Sequence, residues 1–166
     1  MPSYDKDSAE YRFEQKTGLK LGTLLRGGNG KIYTLKKYPT RVVKIDGTLD
    51  TDDRRFLLKL IKHLKKTKNK AVVRLYEFGN LRGGYHFYVM DKLKGLKNKW
   101  NRGDRLTEYI YGGPIPVNES PQLKIFIKRA RKLLEEYGYG DVHGGNIMTD
   151  PDGHYKFVDL ESFTYV

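Results

Sequence analysis

The order of extended and helical patterns in the first half of the chain restricts its fold more than any other feature. Two extended runs are joined by the glycine turn Gly27–Gly30, and a third run, Thr40–Asp46, contains paired β-branched valines. A helical pattern with apolar residues on one face and lysines opposite follows over Asp50–Lys70. Two further extended runs, Ala71–Asn80 and Gly84–Leu93, have the pattern of a hairpin. This order predicts an α+β fold in which a five-stranded antiparallel sheet carries one inserted helix.

The second half of the chain predicts less sheet and more helix. The segment Lys92–Pro116 has the composition of a linker, with a short helix around Leu106–Tyr111. A strong helix follows, because Ser120 is a good N-cap, a proline occupies the next position, and Gly138 ends the apolar pattern. Residues Asn146–Leu160 then predict a hairpin around an Asp-Pro-Asp-Gly turn.

Composition limits the class of protein and its partners. The 166 residues carry a net charge of +12, which attracts polyanions such as nucleotides, nucleic acids or an acidic protein. This charge is more typical of a solvated basic surface or a phosphate-handling protein than of dedicated nucleic-acid binding, because no RNA-recognition or zinc-finger motif accompanies it. There is no cysteine, signal sequence or apolar run long enough for a membrane span. We therefore expect a cytoplasmic protein, in the host-cell cytoplasm if it is viral, with no membrane partner.

Three polar side chains near the end of the chain have the chemistry of a phosphate-transfer site. Asp141 lies in a glycine-rich loop, where an exposed carboxylate could accept a proton from a hydroxyl. Asn146 follows it five residues later, and the predicted hairpin returns Asp159 to the same place. Amide and carboxylate oxygens are ligands that Mg²⁺ accepts, so this pair could hold a magnesium ion that carries a nucleotide phosphate.

Two features of the early strands could contact the same phosphates. The turn Gly27–Gly30 could lay backbone N–H groups over phosphate oxygens, since glycines allow the backbone a close approach. Lys44, on the third extended run, could supply an ammonium group. The alternative is that the glycines, Asp141 and Asn146 are turn formers only.

Two more polar residues have open interpretations. His143 could be a metal ligand, but no second histidine or cysteine stands at ligand spacing, which favours a structural or substrate-side role in the loop. Glu161 could be a third metal ligand or an ordinary surface residue.

Taken in order, these motifs resemble those of the eukaryotic-type protein kinase fold and its aminoglycoside-phosphotransferase-like relatives. Leu24–Tyr33 is similar to the Gly-rich loop, and Arg41–Ile45 is similar to the segment that carries the lysine of the third strand. Tyr88–Gly95 resembles the fifth strand and the hinge. Tyr139–Asn146 is similar to the catalytic loop, and Val158–Ser162 to the metal-binding segment.

The resemblance implies ATP and Mg²⁺ as cofactors and gives each candidate residue a role. It implies that Asp141 is the catalytic base and that Lys44 contacts the α- and β-phosphates. It implies that Asn146 and Asp159 hold Mg²⁺. The further nucleotide contacts that it implies are Gly27, Gly28 and Gly30 over the phosphates, and the backbone of Met90, Asp91 and Leu93 at the adenine.

The resemblance also predicts the domain organisation. It divides the chain into a polar N-terminal arm over residues 1–17, in which the pattern also allows a short helix, a kinase-like N-lobe over 18–91 and a reduced kinase-like C-lobe over 92–166. Seven residues follow Asp159, so we expect no conventional peptide-substrate groove. Reduced kinases of phages and bacterial effectors offer an analogy.

Some motif positions depart from the kinase pattern. Leu25 stands where the first glycine of the loop would be, and Tyr139 and Gly140 replace the His-Arg pair before the catalytic aspartate. The first helix contains no glutamate to pair with Lys44, which leaves Asp52 and Asp53 as candidates if the helix register lets them reach.

Two functions therefore follow from the sequence. The first is phosphoryl transfer from Mg·ATP to a hydroxyl, with Ser or Thr of a protein as the expected acceptor. The alternative is a catalytically weak or inactive pseudokinase scaffold that binds an acidic protein or, secondarily, nucleic acid through its basic surface.

Overall fold

The computed structural model describes residues 4–28, 30–96, 99–140 and 145–164, and for residues 99–104 it describes the backbone alone. The chain divides into two compact units. We call Met1–Thr67 with Arg74–Lys92 the N-terminal unit, and Lys68–Val73 with Leu93–Val166 the C-terminal unit.

The N-terminal unit is a five-stranded sheet with two helices. Its elements are α1 (Ala9–Thr17), β1 (Leu21–Arg26), β2 (Gly30–Leu35), β3 (Arg41–Asp46), α2 (Thr51–Thr67), β4 (Leu75–Leu81) and β5 (Tyr85–Asp91). The strands lie in the order β1-β2-β3-β5-β4, and every neighbouring pair is antiparallel. The predicted α+β class and five-stranded antiparallel sheet are thus confirmed. β3 lies at the centre, where burial from Val42 to Asp46 is continuous.

Helix α1 lies in the segment that the sequence presents as a polar arm. The Ser8 hydroxyl accepts a hydrogen bond from the Tyr11 N–H at its start, and Gly18 ends it in the left-handed conformation at φ +73°. Phe13 is fully buried, with its ring centroid 5.1 Å from that of Phe87 on β5. The helix therefore belongs to the core of the N-terminal unit.

Glu10 fixes α1 to β2 through polar contacts. Its carboxylate accepts a hydrogen bond of 2.8 Å from the Tyr33 hydroxyl and lies 3.4 Å from the Lys31 ammonium. Burial opposes ionisation of Glu10, but its backbone hydrogen bond and the contacts with Tyr33 and Lys31 outweigh burial and lower its pKa. For Tyr33, burial and then the Glu10 hydrogen bond raise the pKa of the phenol.

Helix α2 agrees with its predicted amphipathic pattern. Leu57, Leu60, Ile61 and Leu64 are buried, and the helix packs against β4. Acidic residues lie in its first turn and lysines in its last turn, which suits the helix dipole.

The C-terminal unit combines two helices with short strands. Its elements are β6 (Lys94–Gly95), α3 (Lys99–Ile110), α4 (Pro121–Glu136), β7 (Gly138–Tyr139), β8 (Ile147–Thr149), β9 (Tyr155–Phe157), a 3₁₀ turn (Leu160–Ser162) and β10 (Phe163–Thr164). Ser120 caps α4 by accepting a hydrogen bond from the Leu123 N–H, as the sequence predicts. Helix α3 begins earlier than the predicted short helix, and the Arg131 guanidinium binds the Tyr109 carbonyl near its end.

The segment Ala71–Val73 differs from its predicted place in the sheet. We expected it to begin the fourth strand, but β4 begins at Leu75. Phe157 of β9 instead donates its N–H to the Ala71 carbonyl and accepts one from the Val73 N–H, at 2.8 and 2.9 Å. Two apolar valines could pair with either the five-stranded sheet or β9, so the local sequence pattern could not distinguish these partners.

Candidate functional site

The lysine candidate occupies the centre of the sheet in the N-terminal unit. Lys44 lies on β3 opposite Ile32 of β2 and Tyr88 of β5, and its side chain is buried at 8% exposure. Its neighbours Val43 and Ile45 are β-branched residues, which favour a buried strand. A buried ammonium is costly unless anions or polar groups surround it, so this position indicates a specific role for the charge.

The glycine turn contains glycines with different structural requirements. Gly28 has φ +95°, which only glycine adopts readily, whereas a Cβ added at Gly27 would meet open space. A Cβ added at Gly30 would lie 2.6 Å from Cε of Lys44, so a side chain there would require the end of the lysine to shift. The structure therefore brings Gly30 and Lys44 together. Phosphate binding by these glycines stays a prediction.

The predicted adenine contacts lie at and after the end of β5. Met90 is buried opposite Val42, and Asp91 follows it at the strand end. The Asp91 carboxylate accepts a hydrogen bond of 2.6 Å from the Tyr76 hydroxyl, and the Asp91 N–H donates to the Arg74 carbonyl. The side chain and N–H of Asp91 thus have protein partners. Leu93 is half-buried in the C-terminal unit, and its predicted contact with adenine is untested.

The predicted magnesium ligands lie at the same end of one hairpin in the C-terminal unit. β8 and β9 pair through Ile147 and Phe157, and the Val158 N–H continues the ladder by donating to the Asn146 carbonyl at 3.0 Å. Asn146 is buried at 3% exposure, and Asp159 comes one residue after Val158. The hairpin register therefore places both residues at one end of the hairpin, and magnesium binding by their amide and carboxylate oxygens stays a prediction.

The Asp159 side chain is oriented by the turn that follows it. Ser162 donates its hydroxyl to Oδ2 of Asp159 at 2.8 Å, and the Tyr139 hydroxyl donates to the Asp159 carbonyl at 2.9 Å. Neither Ser162 nor Tyr139 was predicted from the sequence to support Asp159. The available signal was the serine three residues after an aspartate, a spacing typical of local side-chain turns.

The far turn of the same hairpin is held by Asp150. Its Oδ1 accepts hydrogen bonds from the backbone N–H groups of Asp152 and His154, and its Oδ2 lies 3.1 Å from the His154 ring. Burial opposes ionisation of Asp150, but the hydrogen bonds from His154 and Asp152 outweigh it and lower its pKa. The turn is therefore built to hold the hairpin register that positions the two ligand candidates.

The predicted catalytic base Asp141 and the neighbouring His143 lie outside the described residues. The structure does describe the entry to their loop. Gly140 donates its N–H to the Ser162 carbonyl at 2.9 Å, and β7 pairs with β10 through Tyr139 and Phe163. The loop that carries Asp141 therefore starts beside the turn that follows Asp159.

Two polar residues near Lys44 were not predicted from the sequence to belong to the site. Asp46 and His86 are buried and face one another across β3 and β5, with side-chain ligand atoms within 4.8 Å. Asp46 could have been found from sequence, because two-residue spacing on a strand places it on the face of Lys44.

The carboxylates proposed as partners of Lys44 from the helix that is now α2 are not buried with it. The Asp52 side chain is 90% exposed and lies 3.5 Å from Arg55, and Asp53 is also exposed. Both residues lie in the first turn of α2. Their solvent exposure does not support the expectation that either reaches the buried ammonium.

Solved structures of protein kinase domains resemble this chain in fold. A double mutant of the Mycobacterium tuberculosis PknI kinase domain matches with a TM-score of 0.57 and 15% identity, covering 87% of this chain and 59% of that one. A single mutant of the same domain matches with a TM-score of 0.57 and 16% identity, covering 88% and 60%. A further structure of the domain gives a TM-score of 0.56 and 15% identity, covering 88% and 59%.

These likenesses show a protein kinase-like fold, as the motifs predict. The chain spans less than two thirds of the length of the kinase domains that it matches. No protein-family model matches the sequence, and neither does any curated protein. Among the residues that the structure describes, no helix is both long enough and apolar enough to cross a membrane.

Proposed function

We propose that this protein transfers the γ-phosphoryl group of Mg·ATP to a hydroxyl, with Ser or Thr of a protein as the acceptor. The observation that supports it most directly is the buried lysine packed over a glycine of the adjacent turn, in a sheet of kinase-like fold. The hairpin that carries Asn146 and Asp159 supports the same proposal, because it supplies the two oxygen donors. Convergence of these two groups around one nucleotide stays a prediction.

Each residue has a positioning or electrostatic task in this reaction. Lys44 and the N–H groups of Gly27, Gly28 and Gly30 would orient the phosphates, and the backbone at Met90, Asp91 and Leu93 would contact the adenine. Asp141 would orient the acceptor hydroxyl and take its proton.

The metal would be held by Asn146 and Asp159. When bound, Mg²⁺ would neutralise charge on the phosphates during transfer. The hydrogen bond from Ser162 to Oδ2 of Asp159 supports this assignment, since it fixes the direction of one carboxylate oxygen.

Transfer of labelled phosphate from ATP tests the proposal. The purified protein is incubated with γ-labelled ATP, Mg²⁺ and a cell lysate, and labelled amino acids are identified after hydrolysis. We expect phosphoserine or phosphothreonine with the native chain, and a loss of about 100-fold or more with Asp141→Ala, Asp159→Ala or Lys44→Met.

The matched control is Asp152→Ala, which removes an exposed carboxylate from the far turn of the same hairpin. This variant should retain the activity of the native chain. Equal loss of transfer in Asp152→Ala and Asp159→Ala would contradict the assigned role of Asp159. Absence of transfer by the native protein, with no thermal stabilisation by Mg·ATP, would contradict the proposed function.

A scaffold that binds an acidic protein is the second candidate, and one groove supports it. A cavity of about 380 Å³ lies between α2 and β4 in the N-terminal unit. It is lined by Thr51, Arg54, Arg55, Leu58, Lys59, Lys62, Phe78 and Asn80. Four cations around an aromatic ring suit an acidic segment with an apolar side chain.

Charge reversal separates this candidate from binding by net charge alone. A fluorescent acidic peptide containing phenylalanine serves as the probe, and Lys59→Glu with Lys62→Glu is compared with Lys128→Glu and Arg129→Glu on α4. A groove-specific partner predicts at least about tenfold weaker binding for the α2 pair only. Equally weaker peptide binding in both double variants would favour a non-specific surface for polyanions. So would binding of any nucleic acid with an affinity that falls steeply with salt and does not respond to ATP.

A further inference from the structure

The end of β5 is tied to the residues that precede its two neighbouring strands. The Asp91 N–H donates a hydrogen bond of 3.1 Å to the Arg74 carbonyl, just before β4. On the other side, the Lys92 N–H donates to the Thr40 carbonyl at 2.8 Å, just before β3. The backbone that is expected to contact the adenine is therefore held from both sides within the N-terminal unit.

Tyr76 reaches this strand end from an irregular part of β4. Between the positions that pair with Met90 and Tyr88 of β5, strand β4 contains two residues where β5 contains one. Such a β-bulge changes the direction of side chains, and bulges are frequent next to active sites. Tyr76 is one of the two bulged residues, and its hydroxyl donates a hydrogen bond of 2.6 Å to Oδ1 of Asp91. The bulge therefore lies where a side chain of β4 contacts the end of β5.

The ring of Tyr76 is held by a cation on β3. The Arg41 guanidinium carbon lies 3.6 Å from the centroid of the Tyr76 ring and 4.3 Å from that of the Tyr38 ring. Burial, and then the hydrogen bond with Asp91, raise the pKa of the Tyr76 phenol, although the neighbouring guanidinium groups act in the opposite direction. The phenol therefore keeps its proton at neutral pH and remains a hydrogen-bond donor to the carboxylate.

From these contacts we propose that Tyr76 is the positioning residue for the end of β5, where the nucleotide base would bind. The inference rests on the proposed function, because that function gives the backbone of Met90, Asp91 and Leu93 its task at the adenine. Tyr76 acts through the Asp91 carboxylate and does not touch the reacting atoms. The phosphates are assigned to Lys44 and the glycine turn, so loss of the Tyr76 hydroxyl should weaken binding of the base and spare binding of the phosphates.

Amide hydrogen exchange, followed by NMR, tests the positioning role in the protein without nucleotide. Tyr76→Phe removes the hydroxyl and keeps the ring. We expect exchange at the Asp91 and Lys92 N–H groups to rise by about tenfold, the effect of losing one hydrogen bond to a carboxylate. The matched control Tyr85→Phe removes the hydroxyl of an exposed tyrosine at the other end of β5, and should leave these rates within about twofold.

Nucleotide binding tests the consequence for the base. Isothermal titration compares Mg·ATP with Mg·tripolyphosphate, which carries the phosphates without the base. Tyr76→Phe should weaken ATP binding by about tenfold and change tripolyphosphate binding by less than about twofold. Asp91→Ala should match Tyr76→Phe, and Asp91→Asn, which keeps an acceptor oxygen, should weaken ATP binding by about threefold. Because both residues act through one bond, Tyr76→Phe combined with Asp91→Ala should weaken ATP binding no more than either change alone.

These measurements separate failure of the inference from failure of the proposed function. Native exchange rates and native ATP affinity in Tyr76→Phe would overturn the inference and leave the kinase proposal intact. Equal weakening of ATP and tripolyphosphate binding would also overturn it, since a general loss of structure affects both ligands. A native protein that binds neither ligand would contradict the proposed function, and exchange at Asp91 and Lys92 would then decide the positioning role by itself. If Tyr76→Phe does not fold, Asp91→Asn is compared with Asp91→Ala, and equal ATP affinities for these two would overturn the inference.

Discussion

At the scale of single residues, the site depends on where side chains are missing as much as on where they are present. Gly30 has no side chain in the space that Lys44 occupies. At Gly28 a glycine is needed because the backbone there is in the left-handed conformation. Gly27 has neither requirement, because its added Cβ would meet nothing within 4 Å. The three glycines of one turn therefore make three different contributions, and substitution should distinguish them.

Gly30→Ala should displace the Lys44 side chain, since the new methyl group would occupy the space of its Cε. We expect Mg·ATP binding to weaken by about tenfold, the usual effect of misplacing one charged contact. Isothermal titration measures the affinity, and Gly27→Ala is the matched control with affinity near that of the native protein. Equal affinities in the two variants would contradict the role assigned to Gly30.

At the scale of elements, α1 is attached to the sheet by one buried ring and one carboxylate. Phe13 enters the core beside Phe87, and Glu10 binds the hydroxyl of Tyr33 on β2. Because β2 begins at Gly30, this attachment lies on the strand that leaves the glycine turn. The helix thus stabilises the same strand that borders the predicted phosphate site.

The lowered pKa of Glu10 predicts that this attachment weakens in acid. A carboxyl whose pKa is lowered by folding contributes stability above its unfolded pKa of about 4.3, and loses it as pH falls through the folded value. Urea unfolding at pH 7 and at about pH 3.5 should show a smaller loss of stability in Glu10→Gln than in the native chain. Glu77→Gln, which removes an exposed carboxylate on β4, is the control and should lose as much as the native protein. An unchanged loss in Glu10→Gln would contradict the proposed attachment.

At the scale of the whole molecule, the division into two units is not a division of the sequence at one point. Residues Lys68–Val73 leave the N-terminal unit after α2 and join the C-terminal unit, where Ala71 and Val73 pair with Phe157. The chain then returns to build β4 and β5. The segment 1–17, predicted as an arm outside the lobes, supplies α1 to the core of the N-terminal unit.

This placement of α1 predicts a large stability effect from a residue in the polar arm. Phe13→Ala removes a fully buried ring and should lower the free energy of unfolding by about 3–5 kcal/mol. Ile125→Ala, at a position 46% exposed on α4, should cost less than about 1 kcal/mol. Denaturant titration followed by circular dichroism measures both. A small effect of Phe13→Ala would show that α1 is dispensable to the core.

Features that depend on neighbours along the chain could be predicted from local sequence patterns. The apolar spacing of α2, the Ser120 cap and the β-branched residues around Lys44 all predicted elements that form. The hairpin around the Asp-Pro-Asp-Gly turn likewise formed as the sequence predicts, with Asn146 opposite Val158 and Asp159 one residue further on. These predictions hold because periodicity and turn chemistry act over a few residues.

Contacts between distant segments could not be predicted in this way, because they depend on the complete fold. The crowding of Gly30 by Lys44, the burial of Phe13 against Phe87 and the pairing of Val73 with Phe157 all depend on the order and register of strands. The type of residue and its local pattern do not specify which distant segment it will contact. Many apolar or crowded surfaces would satisfy the same pattern of a glycine, a phenylalanine or a valine. The partner is selected by the sum of all contacts in the folded sheet, which no short stretch of sequence contains.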